Sequence, residues 1–150
     1  MSIWRVFDEL VSNSTLSQVM RDRIAAVAEA LFHDRFEMDE RAMLTAALTA
    51  ANLEGYSACV TALLEFAETS GLDVNYLKGL IDAMADASEF SRNEQAIIKL
   101  ATEVTRRSQP RKSTLHFVQQ FYTPIEIEFL IILTSFVNLL ARLQTVQDLQ

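Results

Sequence analysis

The fold class is decided by residues 39–71, which read DERAMLTAALTAANLEGYSACVTALLEFAETSG. Apolar residues recur in this stretch at intervals of three and four, the period of an α-helix with a buried face. Gly55 interrupts the pattern and Gly71 ends it, and glycine is the residue type most often found just after a helix C-terminus. The stretch therefore predicts two consecutive helices, at 39–54 and 57–70.

Residue types that favour helix starts precede most of the apolar runs. Asp39, Ser57 and Asp73 each stand where a side-chain oxygen can accept a hydrogen bond from a first-turn amide. Ser91 to Glu94 and Thr123 to Glu126 have the form of a capping box, in which the hydroxyl and the carboxylate each accept from the other residue's amide. These signals predict helix starts along the whole chain.

We predict an all-α bundle of seven or eight helices in a single domain spanning residues 1–150. Only three Gly and two Pro occur, too few for the frequent turns of an all-β protein. The predicted helices lie at 2–11, 15–32, 39–54, 57–70, 73–86, from 91 onward, at 114–121 and at 123–143. Because several are apolar on more than one side, we expect part of that surface to be buried in a homo-oligomer.

Charge and hydropathy exclude several classes of partner. The formal net charge is −7, with 13 basic and 20 acidic residues, whereas nucleic-acid binders carry a surplus of cations. The N-terminus has neither the basic start nor the apolar run of a signal peptide. The most apolar stretch, 129–137, is much shorter than the roughly 20 residues of a membrane span. We therefore expect a cytoplasmic protein that binds neither nucleic acid nor membranes.

Cys59 is the single cysteine, so an internal disulfide is impossible. With Ser57 as the cap, Cys59 lies in the first turn of its helix, where the helix dipole stabilises a thiolate. Free cysteine is also among the most buried residue types, so the alternative is a structural Cys59 in the core. Both interpretations, a reactive thiol and a packing residue, stay open from the sequence.

The order of these features resembles the alkylhydroperoxidase D-like and carboxymuconolactone decarboxylase family. In that family a helix ends in a break, Cys-x-x-Cys-x-x-x-His opens the next helix, and Gly follows about one helix later. Cys59 falls on the second cysteine of this pattern and Gly71 on the glycine. The later helices are also similar, from the start at Ser91 to the ending FVNLLAR at 136–142. The resemblance implies the family's helical fold, and trimers or hexamers as its assemblies.

The chain departs from the family pattern at the residues that carry the chemistry. Tyr56 stands at the first cysteine and Leu63 at the histidine, while the proton-relaying glutamate would fall near Leu44, one turn after Glu40. The dithiol mechanism needs one thiol to attack the peroxide, a second to resolve the sulfenic acid, and a base to activate the attacker. With one thiol and no such base, we expect no dithiol peroxidase activity.

Three functions remain for such a chain. The first is a protein that keeps the family fold and oligomer, has lost the redox site, and binds a small molecule or a partner between its helices. The second is a one-cysteine thiol peroxidase, in which Cys59 is resolved by an external thiol. The third is a lyase like the decarboxylase branch, which is disfavoured because Leu63 replaces the histidine expected to do acid–base work.

Polar residues near Cys59 supply further candidates. Tyr56, Glu54 and Glu40 could supply acid–base chemistry, but a packing tyrosine at the helix entry and two solvated glutamates are the better explanation of them. Asn138 and Arg142 are spaced to point the same way from an apolar helix, either as a structural polar clamp or as an anion site lining a cavity.

No metal ion or cofactor is expected. His33 and His116 are far apart in sequence, and Glu29 with His33 is better explained by a histidine at a helix end than by a metal site. The sequence also contains no Gly-rich phosphate loop and no Gly-x-Ser-x-Gly motif.

Overall fold

The computed structural model describes residues 2–32, 38–82 and 90–147, and this part of the chain forms eight α-helices and no strands. The helices are α1 (Ile3–Ser12), α2 (Gln18–Phe32), α3 (Glu40–Leu53), α4 (Ser57–Thr69), α5 (Val74–Asp82), α6 (Arg92–Arg107), α7 (Lys112–Gln119) and α8 (Pro124–Gln147). The predicted all-α fold is confirmed. The end of the helix predicted at 73–86 lies outside the described residues.

Helix α3 is the centre of the fold and packs most extensively against α6, α8 and α4. Every residue from 42 to 51 is buried, so α3 has no solvent-facing side over three turns. Alanine at five of these positions lets the neighbouring helices approach closely. The buried Thr45 and Thr49 hydroxyls donate to the carbonyl oxygens four residues earlier, at 2.8 and 2.7 Å, and are therefore satisfied within the helix.

An aromatic cluster joins the two N-terminal helices to α8. Trp4 of α1 stacks on Phe32 of α2 with 4.5 Å between ring centroids, and it meets Phe129 of α8 edge-on at 5.7 Å. Phe136, two turns further along α8, meets Phe32 at 5.1 Å and Phe7 at 5.8 Å. The last turn of α2 is thus held by ring contacts, although most of α2 is exposed.

Three of the predicted helix starts have the expected hydrogen bonds. The Asp39 carboxylate accepts from the Arg41 amide at 3.3 Å, and the Asp73 carboxylate accepts from the Tyr76 amide at 3.2 Å. At the start of α8, the Thr123 amide donates to the Glu126 carboxylate at 2.9 Å, and the Glu126 amide donates to the Thr123 hydroxyl at 3.4 Å. The capping box at 123–126 is therefore confirmed.

The capping box predicted at 91–94 is wrong. The Ser91 hydroxyl donates to the Asn93 side-chain oxygen at 2.6 Å, and the Glu94 carboxylate lies 3.4 Å from the Arg41 guanidinium of α3 instead of bonding back to Ser91. Ser57 was also predicted to cap α4, but it is the first helical residue and Tyr56 occupies the cap position. In both cases the helix start is correct to within a residue and the capping side chain is not.

A buried carboxylate fixes the connection between α6 and α7. Glu103 of α6 is 6% exposed and accepts from the Arg111 amide at 2.7 Å and from the Thr114 hydroxyl at 2.5 Å. Burial alone would raise the pKa of Glu103, but these hydrogen bonds, with the charges of Arg111 and Lys99, bring it below its ordinary value. Glu103 therefore ties the start of α7 to α6.

Helix α8 is the longest element and the most apolar. Among the described residues it is the one helix long and apolar enough to cross a membrane by length and composition, over Pro124–Val146 with a mean hydropathy of 1.7. That apolar run is longer than the nine residues recognised from the sequence. Because 56% of its most apolar window is buried inside the molecule, α8 is compatible with the core helix of a soluble protein.

Candidate functional site

The corner between α3 and α4 is set by a glycine. Gly55 has φ +69°, the left-handed conformation that ends α3. Its amide donates to the Asn52 carbonyl at 3.1 Å, and the Tyr56 amide donates to the Ala51 carbonyl at 2.8 Å, which together form a Schellman motif. Helix α4 then begins at Ser57 and runs back against α3. The predicted break at Gly55 is confirmed.

Cys59 lies on the buried face of α4. Its side chain is 0% exposed, and so is that of Leu63, one turn further along the helix. Burial raises the pKa of the Cys59 thiol to about 12, so the thiol is protonated at neutral pH. The helix dipole expected to favour a thiolate at this first turn is outweighed by burial. Of the two interpretations of Cys59, the geometry favours the packing residue.

Tyr56 joins this corner to the C-terminal part of α8. Its ring is 6% exposed, and its hydroxyl accepts a long hydrogen bond of 3.5 Å from the Gln144 amide. Burial raises the pKa of Tyr56, with Cys59 adding to the rise and the hydrogen bond from Gln144 opposing it. Tyr56 therefore offers a neutral hydroxyl, suited to hydrogen bonding rather than to the work of a general base.

A groove of about 330 Å³ opens beside this tyrosine. Eight residues from the α3–α4 corner and the end of α8 line it: Glu54, Gly55, Tyr56, Ser57, Ala58, Ala141, Gln144 and Thr145. The first turn of α4 faces the groove, and no side chain in the described part of the chain caps that turn. Amides at an uncapped helix start are an attractive site for an anionic group.

The other polar end of the groove is acidic. Glu54 lines it, and the Glu54 carboxylate lies 3.7 Å from the Arg142 guanidinium. The Arg142 side chain is 63% exposed and that of Glu54 19%, so water screens the pair and it contributes little to stability. A ligand cation can therefore replace Arg142 beside Glu54 at small cost.

Glu40 does not belong to this site. It opens α3, whereas the groove lies beyond the last residue of α3, and a rise of roughly 1.5 Å per residue puts the two ends of this helix about 20 Å apart. Leu44, the position nearest the family's glutamate, is fully buried. The structure therefore does not bring Glu40 to the groove beside Tyr56, and a catalytic role for Glu40 stays a prediction.

Asn138 and Arg142 have different partners. Asn138 is 2% exposed and accepts from the Thr105 hydroxyl of α6 at 3.1 Å, whereas Arg142 is exposed and pairs with Glu54. Asn138 therefore links α8 to α6 in the interior. The two side chains therefore do not form a joint clamp.

Sequence reasoning missed Gln144 and the ion pair between Glu94 and Arg41. Gln144 is 88 residues from Tyr56 in the chain, and no local pattern joins them. Glu94 is 9% exposed and pairs with Arg41, whose guanidinium lies over the Tyr76 ring at 4.1 Å. Burial raises the pKa of Glu94, the Arg41 charge lowers it, and Asp39 raises it, with an upward balance. This ion pair bridges α3 and α6.

Within the described ranges, no group of three or more His, Cys, Asp or Glu side chains is arranged to hold a metal ion. His33, one of the two histidines weighed as a ligand, lies outside those ranges. Neither the models of known protein families nor the curated protein sequences give a match to this chain.

Proposed function

We propose that this chain is a divergent protein of the alkylhydroperoxidase D-like type that has lost its redox chemistry and binds a small polar molecule in the groove between α4 and α8. The observation that carries the proposal is the groove itself, where the uncapped start of α4, the Tyr56 hydroxyl and the Gln144 amide converge. Such convergent polar groups in a concave site are typical of ligand pockets.

The charges around the groove favour a small zwitterion, such as a free amino acid. A carboxylate would accept a hydrogen bond from the Ala58 amide in the first turn of α4, since the Ser57 amide already donates to the Gly55 carbonyl at 3.1 Å. An ammonium group would lie beside Glu54, in place of its weak contact with Arg142. The Tyr56 hydroxyl and the Gln144 side chain supply further hydrogen bonds between these two ends.

Loss of redox chemistry is supported by the place of the single thiol. Cys59 is fully buried with a strongly raised pKa, and Leu63 stands where the family has its histidine. A one-cysteine peroxidase needs an accessible thiolate and an external thiol that can reach the sulfenic acid. The lyase alternative lacks a base, since Tyr56 is neutral and Glu40 is remote.

A cytoplasmic homo-oligomer is part of the same proposal. The resemblance implies trimers or hexamers, and the exposed apolar residues of α2 and α8 supply surface for contacts between copies. Neither a membrane nor a nucleic acid is proposed as a partner, given the net charge of −7 and the half-buried α8.

Binding is tested by calorimetry with the free amino acids, beside amines and carboxylic acids of matching side chain. We expect zwitterions to bind best. Glu54→Gln should weaken them about tenfold or more and leave the carboxylic acids unchanged, while Gln144→Ala should weaken both. Gln119→Ala, an exposed glutamine of α7, is the matched control and should bind like the wild type. Absence of binding, or binding unaffected by these substitutions at Glu54 and Gln144, contradicts the proposed site.

Loss of redox chemistry is tested by peroxide consumption with a dithiol reductant. We expect no turnover from the wild type or from Cys59→Ser. Turnover that disappears in the variant would show a one-cysteine peroxidase instead.

A further inference from the structure

A stripe of exposed apolar side chains runs along the outer face of α8. Ile125, Ile132, Leu139 and Val146 are 60%, 38%, 42% and 45% exposed and are spaced seven residues apart. Apolar residues repeated every seven positions are typical of a helix that packs along another helix at a small crossing angle. Large exposed apolar side chains in such a row indicate a contact with another surface.

Three further exposed residues share this face, and each lies three positions after one of the first three members of the stripe. They are Glu128, Ser135 and Arg142, again seven apart. One end of the face is therefore acidic, the other is basic, and a small residue lies at its middle. With the acid near the N-terminal end of α8 and the base near its C-terminal end, the face is complementary in charge to a reversed copy of itself.

We propose that two copies of the chain pair through α8 in antiparallel orientation, with Ser135 of each copy on the twofold axis. In this arrangement a residue n positions before Ser135 faces the residue about n positions after it in the second copy. The facing pairs are Glu128 with Arg142, Ile132 with Leu139, and Ile125 with Val146. The occupant of the stripe is thus α8 of a second copy, an inference that does not depend on a ligand in the groove.

Charge and size both select this arrangement. A parallel pair would place Glu128 against Glu128 and Arg142 against Arg142, and such like charges across an interface are unfavourable. The antiparallel pair places Glu128 of one copy against Arg142 of the other, and the twofold axis repeats this pair at the opposite end of the interface. Ser135 at the axis has a small side chain, so the two backbones can approach where the helices cross.

Arg142 is free to take part. Its contact with Glu54 is long at 3.7 Å, and 63% of its side chain is exposed. A guanidinium has five N–H donors, so Arg142 can stay in contact with Glu54 on one side and donate hydrogen bonds to Glu128 of the second copy on the other. The interface is isologous and therefore closes into even-numbered assemblies, so a dimer or a hexamer is compatible with it and a trimer alone is not.

The first test is a charge exchange, measured by sedimentation velocity from about 1 to about 100 µM. Glu128→Arg alone and Arg142→Glu alone each place like charges opposite one another and should weaken association about tenfold or more. The double exchange restores opposite charges and should restore association. A wild type that stays monomeric, or single variants that associate normally, or a double variant that is not rescued, would each overturn the proposal.

The second test reports on the twofold axis. Ser135→Cys should cross-link two chains rapidly on mild oxidation, because residues on the axis meet their own copies. Ser113→Cys, at an exposed position on α7, is the matched control and should not cross-link. A lipid surface is the other candidate occupant of the stripe, and flotation with phosphatidylcholine vesicles tests for it. Monomeric wild-type protein that floats with the vesicles would mean that the stripe meets a lipid surface, and the proposal would fail.

Discussion

Cys59 and Leu63 lie one helical turn apart on the same fully buried face of α4, so the thiol and the leucine side chain both pack into the core. A leucine side chain cannot accept a proton from the thiol, so Leu63 does not activate Cys59. The environment that remains, apolar and closed to water, suits a methyl or a thiol equally and disfavours a thiolate.

We therefore expect the native Cys59 thiol to react slowly with a thiol reagent. Labelling should be at least about 100-fold slower in buffer than in denaturant, because reaction requires opening of the core. Ser57→Cys in a Cys59→Ala background places a thiol at an exposed position two residues away and is the matched control, expected to label at once. Equal native rates for the two thiols would contradict burial of Cys59.

Glu103→Gln should lower the free energy of unfolding by about 1–2 kcal/mol, because the charged acceptor of two hydrogen bonds is lost. The folded pKa of Glu103 is lowered, so its stabilising contribution is present above the ordinary glutamate value and is lost as pH falls through the folded value. Urea denaturation against pH measures this. Glu65→Gln, at an exposed position on α4, is the control. A deficit that persists in acid would argue against the linkage.

Glu94→Gln should raise the free energy of unfolding near neutral pH, whereas Glu103→Gln should lower it. The folded pKa of Glu94 is raised, so wild-type stability is relatively favoured below the ordinary glutamate value and decreases as pH rises through the folded value. The glutamine variant does not titrate at this position and should be the more stable protein near neutral pH. Denaturation at neutral and at acid pH measures the difference, which should close in acid. A less stable variant at neutral pH would show that the pairing with Arg41 outweighs burial.

Gly55, at the corner beside the groove, and Gly79, inside α5, can be compared to test the backbone conformation of that corner. Gly55→Ala should destabilise the fold by about 1 kcal/mol, because φ +69° is strained for any side chain even though no atom lies within 4 Å of the added methyl. Gly79, within α5, has equal space, and Gly79→Ala should stabilise by about 0.5–1 kcal/mol. Thermal unfolding of both variants measures the contrast. Equal shifts of the same sign would contradict the conformational explanation.

The sequence predicted what depends on neighbours along the chain. The helices, the glycine break at 55 and the capping box at 123–126 all follow from residues within one turn of each other. The capping box predicted at 91–94 is wrong because Glu94 pairs with Arg41, which is about fifty residues away in sequence and on another helix. A charged partner across a helix interface competes with a local cap, and sequence spacing cannot show which one is in reach.

The site was predicted in part for the same reason. Tyr56 was singled out by its position in the motif and Arg142 by its spacing from Asn138, and both lie at or beside the groove. Gln144 was missed because only the fold brings α8 to the α3–α4 corner. Glu40 was chosen by its face of the helix, and spacing along one helix does not show how far a residue lies from the corner that ends it.

The aromatic cluster around Trp4 gives this protein a built-in optical probe. Trp4 is the single tryptophan, stacked on Phe32 and beside Phe129, so its emission reports the attachment of α1 and α2 to α8. Far-ultraviolet circular dichroism, in contrast, averages over all the helices, and most helical residues of the described chain lie in α3 to α8. Fluorescence and dichroism therefore observe two different parts of the molecule, and a gap between their unfolding curves would measure how independently the N-terminal helix pair detaches.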